Sequence, residues 1–254
     1  MKKIALAIGA LFLLLAATFV VLPKWQRHQE VIEAEKLLEH ELPPVTQPSP
    51  NPSPNPSSVA HTEINLNVPF TSQAPTGNWD LPYQEACEEA SALMAIRYVF
   101  GNPILDPEDA DAGILDLVRA NEKILGFSVD QTAEQVMALI HEIDPSIPVS
   151  LVKDPTIDLL KSELALGNII IVPAAGRELN NPFFHAPGPL YHMLVLRGYT
   201  DDGYFITNDP GTKRGEAYLY PFDLLMDAMG DWNDGDPANG EKVVLVLKPI
   251  KIEN

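Results

Sequence analysis

Tyr83-Gln84-Glu85-Ala86-Cys87-Glu88-Glu89-Ala90-Ser91 contains the chain's only cysteine, placed where a Pro-containing loop gives way to apolar residues at helical spacing. Ala90, Leu93, Met94, Ile96 and Val99 recur on one helix face and Gly101 supplies a stop, which predicts a helix beginning near Cys87. A thiol at a helix N-terminus meets the positive end of the helix dipole and backbone N–H groups without intrahelical partners. Both favour thiolate over thiol. A single cysteine excludes an intrachain disulfide, so stability must come from a packed core. Taken by itself, Cys87 also has a plainer reading, as a small buried hydrophobe, with the lesser weight of the two.

Downstream, helical patterns come first and strand patterns later. Helices are predicted near Pro107 to Ala120, from Asp130 to Glu142, and after Asp154-Pro155 through Leu159, Leu160 and Leu164 to a stop at Gly167. Strands are predicted at 168–172, 193–196, 203–207 and 242–247, with turns at Asp201-Asp202-Gly203 and Asp209-Pro210-Gly211. Segregated helices and strands point to an α+β domain in which an antiparallel sheet faces a helical part.

Three positions in this frame bear chemistry. His192 heads the strand Tyr191-His192-Met193-Leu194-Val195-Leu196, and Asn208 and Asp209 end the next one. A hairpin joining the two strands returns a carboxylate beside the imidazole. Alone, His192 reads as a strand-end histidine and Asp209 as a turn residue; together with Cys87 they read as nucleophile, base and orienting acid. His192 would take the Cys87 proton, and Asp209, or else Asn208, would hold the other ring nitrogen. The oxyanion needs a donor beside the Cys87 backbone N–H, for which Gln73 and Gln84 are both candidates.

Val68-Pro69-Phe70-Thr71-Ser72-Gln73, Tyr83-Gln84-Glu85-Ala86-Cys87, Tyr191-His192-Met193-Leu194-Val195-Leu196-Arg197-Gly198-Tyr199 and Ile206-Thr207-Asn208-Asp209-Pro210-Gly211 resemble the C39-like peptidase domain of bacteria, within the papain-like cysteine peptidase superfamily. The resemblance covers about residues 64 to 250. It implies a papain-like fold, with Cys87 as nucleophile, His192 as base, Asp209 as orienting acid and Gln73 in the oxyanion hole; Gln84 remains a rival. Two departures stand out. Thirteen residues, 74 to 86, separate Gln73 from the cysteine, and Glu88-Glu89 follows it where the family usually has glycine. Acidic residues stabilise a helix start, but a neighbouring carboxylate disfavours a thiolate. Alternatively Glu88 binds a cationic group of the substrate, with His185 bordering the cleft.

The chain begins Met1-Lys2-Lys3, followed by an apolar run from Ile4 to Leu22 and then Pro23-Lys24-Trp25. Nineteen uncharged residues suffice to span a bilayer. Residues 1–25 are therefore expected to be a membrane anchor with the domain outside the cytoplasm, or else a cleaved signal peptide. Residues 26–61 read as a juxtamembrane segment and a spacer; seven prolines fall within residues 43–58, a composition that prefers extended polyproline II. The remaining domain, 62–254, carries 12 basic and 30 acidic residues and thus the whole net charge of −18. That argues against nucleic acid as a partner. Cys87, His192 and Glu88 are zinc-competent types, yet no close-spaced ligand pair accompanies them, and no metal or cofactor is expected.

The expectation is a membrane-anchored, extracytoplasmic cysteine peptidase acting on a peptide or protein substrate. The alternatives are acyl transfer to an amine at the same site, or an inactive papain-like domain that binds peptides or envelope components.

Overall fold

In this computed structural model the described residues are 63–126 and 129–250. They form β1 (Ile64–Asn65), α1 (Cys87–Val99), α2 (Pro107–Leu125), α3 (Ala133–Ile143), β2 (Val149–Lys153), α4 (Ile157–Ala165), β3 (Ile169–Ala175), β4 (Tyr191–Tyr199), β5 (Tyr204–Asn208), β6 (Tyr218–Pro221), α5 (Phe222–Ala228) and β7 (Val243–Leu247). The sheet runs β2-β7-β3-β4-β5-β6, with β1 paired to β4, and its pairings are antiparallel.

Side chains alternate across a strand, so β4 feeds two cores. Tyr191, Met193 and Val195 pack with α1, α2 and α3, whereas Leu194 and Leu196 pack with α4 and α5. Burial on both faces explains why β3 and β7 are continuously apolar rather than alternating. The α+β class expected from the sequence is the one observed.

Helix ends follow local chemistry. Asp106 caps α2 by accepting from the Asp109 N–H, and Gly126 closes it at φ 80°. Thr132 and Gln135 form a capping box, so α3 begins at Ala133 rather than Asp130. The nucleophile helix is different. Ala86 occupies the N-cap of α1 and provides no side-chain cap, while Glu88 and Glu89 fill the first turn.

Four elements were not expected from the sequence: β1, β2, β6 and α5. Strand β2 breaks the order of helices then strands by crossing to pair with the C-terminal β7. Its half-exposed pattern gives a weak apolar signal. The expected N-terminal anchor, juxtamembrane segment and spacer lie outside the described residues. Among the described residues no helix is long and apolar enough to cross a membrane.

Candidate active site

Helix α1 lies against β4, where the Ser91 hydroxyl donates to the Met193 carbonyl at 3.0 Å. The loop before it is braced by Gln73, whose Nε2 donates to the carbonyls of Tyr83 (2.9 Å) and Gln84 (3.0 Å). Gln73 is itself tied by its backbone N–H to the Pro210 carbonyl at 2.8 Å. Both amide protons of Gln73 are therefore engaged with the chain rather than aimed at an oxyanion. Gln84 is exposed, and its amide donates to Glu85.

Cys87 is the first residue of α1 and is buried. Its thiol donates to Glu88 Oε2 at 3.0 Å. Among the described residues no hydrogen bond joins the thiol to the His192 ring. Burial pushes the Cys87 thiol well up; the Glu88 charge and hydrogen bond add to that, Glu89 adds more, and the Met193 backbone opposes them. In this arrangement the sulfur holds its proton.

Glu88 is 1% exposed, and both its oxygens are used: Oε1 accepts from the Gln131 N–H at 2.9 Å and Oε2 from the thiol. That leaves no carboxylate oxygen presented to solvent for the cationic group considered from the sequence. Burial first and the Glu89 carboxylate second raise Glu88 to about 8, against the Cys87 and Gln131 hydrogen bonds that pull it down.

At the other end of the site, His192 Nε2 lies 2.7 Å from Asp209 Oδ1. This leaves Nδ1 as the ring nitrogen free for proton exchange. Asp209 is completely buried and accepts three more hydrogen bonds: Gly211 N–H at 2.9 Å, Asn181 Nδ2 at 3.1 Å and the Tyr220 hydroxyl at 2.6 Å. Burial by itself raises Asp209, yet the His192 charge and these donors outweigh it and hold the carboxyl below the ordinary range. Asn208 is turned elsewhere. Its amide donates to the carbonyls of Val68 and Pro69 and accepts from Arg197, which fixes the opening segment to the sheet. Asp209, not Asn208, meets the ring.

Sequence reasoning missed Asn181, Tyr220 and Phe184. The first two complete the Asp209 cage, and Phe184 packs edge-on against the His192 ring at 5.2 Å between centroids. None stands at a spacing that marks it. Gly211 is a fourth: a Cβ there would come within 2.9 Å of His192 Cε1 and 2.7 Å of Phe184 Cε1. His185 is exposed. Among the described residues no group of three or more His, Cys, Asp or Glu side chains is arranged to hold a metal ion.

None of the curated proteins matches the chain. Among solved structures, a candidate C39-like peptidase from Bacillus anthracis is similar, at 16% identity and a TM-score of 0.48, covering 76% of this chain and 100% of that one. The Peptidase C39 like family matches residues 65–234, a span that includes Cys87, His192 and Asp209, and the chain belongs to that family.

Proposed function

We propose that the domain is a papain-like cysteine peptidase in which Cys87, His192 and Asp209 act together. The observation that carries this reading is the buried His192–Asp209 pair, 2.7 Å apart, with His192 on β4, the strand against which the Cys87 helix lies. Asp209 fixes the tautomer and plane of the ring, leaving Nδ1 to accept the thiol proton. The thiolate attacks the carbonyl carbon of a peptide bond, and the Cys87 backbone N–H at the helix start supports the oxyanion. Collapse breaks the C–N bond; the amine leaves with the proton from His192, and a thioester remains on the sulfur. His192 then takes a proton from water, whose oxygen displaces the thiol and frees the acid. Gln73 serves this scheme by bracing the Cys87 loop, or as an oxyanion donor once released from its carbonyls.

The apolar run from Ile4 to Leu22 and the proline-rich spacer support placing the domain outside the cytoplasm on a membrane tether. A second reading, peptide binding without cleavage, draws on the neutral thiol bonded to Glu88. Digestion of a peptide library by the full chain tests the choice. The peptidase reading expects defined cleavage that disappears in Cys87→Ala while the melting temperature stays within a few degrees. Peptide retention with no cleavage by either protein would support the second reading. Added amine nucleophiles that appear in the product would instead indicate acyl transfer.

A further inference from the structure

Glu88 is a buried titratable group that the scheme above does not use, and its surroundings hold it in place from several elements. Oε1 is fixed by the Gln131 N–H, and Gln131 is itself clamped. Its Nε2 donates to Glu89 Oε1 at 2.9 Å, its Oε1 accepts from Asn121 of α2 at 2.6 Å, and its carbonyl accepts from the Tyr191 hydroxyl of β4 at 2.9 Å. The result aims Oε2 at Cys87 Sγ across 3.0 Å.

We propose that Glu88 is a further working residue of the site: in its protonated form it donates an O–H hydrogen bond to the Cys87 thiolate and thereby holds the nucleophile. This rests on the reading of Cys87 as nucleophile. When the thiol proton passes to His192, a sulfur anion and a carboxylate 3.0 Å apart in a buried site would repel each other strongly. With Glu88 protonated, the S–H···O bond is replaced by O–H···S, and the pair gives up a single proton, the one His192 takes. Charge-assisted bonds of this kind are roughly twice as strong as neutral ones.

The groups around Glu88 support that state. On α1 it adjoins Cys87 and Glu89, and from β4 it faces Tyr191, whose hydroxyl also reaches Asp231, while His192 follows Tyr191 on the same strand. Asp130 precedes the Gln131 that bonds it. Burial and Glu89 raise Glu88 to about 8, so it keeps its proton at neutral pH. Above that value it becomes an anion opposing the thiolate.

The test is the second-order rate of Cys87 alkylation by iodoacetamide in the full chain across pH. In the wild type the rate should exceed that of a peptide thiol near neutrality and then fall between about pH 7 and 9, where an ordinary thiol gains reactivity. E88Q cannot ionise but can accept from Gln131 and donate to sulfur, and it should lose that fall. E88L offers no donor and should slow the reaction at about pH 6 by roughly tenfold or more. Thermal melts of both variants establish that they are folded. A fast wild-type thiol with the same descending limb in folded E88Q, or undiminished reactivity in folded E88L, would overturn the role of Glu88 alone. A wild-type thiol no faster than a free peptide at any pH would overturn both this role and the nucleophile reading.

Discussion

Asp209 and Glu88 are both buried carboxyl groups, one touching His192 and the other touching Cys87, yet folding moves them in opposite directions. Burial raises both. Asp209 then meets an imidazole, a hydroxyl, an amide and a backbone N–H, and the donors win. Glu88 meets one backbone N–H and a thiol, with a second carboxylate on the adjoining residue, and burial wins. Depth does not decide the charge of a carboxyl group; the donors arranged around it do. The same comparison divides the proton work: an anion is kept where the imidazolium forms, and a proton is kept where the thiolate forms.

Asp209→Ala breaks the first half of the comparison and should have the largest effect. Turnover should drop by as much as about 10⁴-fold through loss of ring orientation. Leaving His192, Asn181 and Tyr220 without their acceptor should also cost about 3–5 kcal/mol in denaturant unfolding. Full activity in Asp209→Ala would remove it from the site. Tyr220→Phe removes one donor of the four and should cost about 1–3 kcal/mol, with a smaller loss of turnover. It should also raise the Asp209 carboxyl toward its unfolded value, so that the loss of stability in acid becomes smaller and ends at higher pH. The sign follows from the lowered folded value: Asp209 stabilises the fold above its unfolded value of about 3.9, and that contribution is lost as pH falls through the folded one.

Glu88 predicts the reverse dependence on pH. Its folded form holds a proton more tightly than the unfolded chain, so its contribution is present below about pH 4.3 and lost as pH rises toward its folded value. In that window E88Q should flatten the decline of stability with pH, read from melting temperatures across a buffer series. An unchanged slope would mean that Glu88 titrates normally.

The legible part of this molecule was the part written in local pattern. Cys87 stood at the start of an apolar-periodic run, His192 at the head of an apolar strand and Asp209 before a Pro-Gly turn, and each sits where its pattern put it. The Glu88-Glu89 pair told the direction in which it would push the thiol, and in the buried site both carboxyls push it that way. Its burial was not readable, because adjacent glutamates in a first helical turn ordinarily face water, and here Gln131 and Asn121 arrive from distant chain to cover them. Asn181 and Tyr220 stayed hidden for the same reason: one lies in a loop and the other on a short strand, and only the closed sheet brings both to Asp209. Strands β2 and β6 escaped because half-exposed edges carry little apolar signal.

The claim beneath all of this is that the His192 ring serves the Cys87 sulfur. Iodoacetamide alkylation of Cys87 at mildly acidic pH, in the wild type and in His192→Ala, measures that service without requiring a substrate. The account predicts a wild-type thiol more reactive than a peptide thiol and a loss of roughly tenfold or more in the folded variant. Equal rates in the two proteins would contradict it.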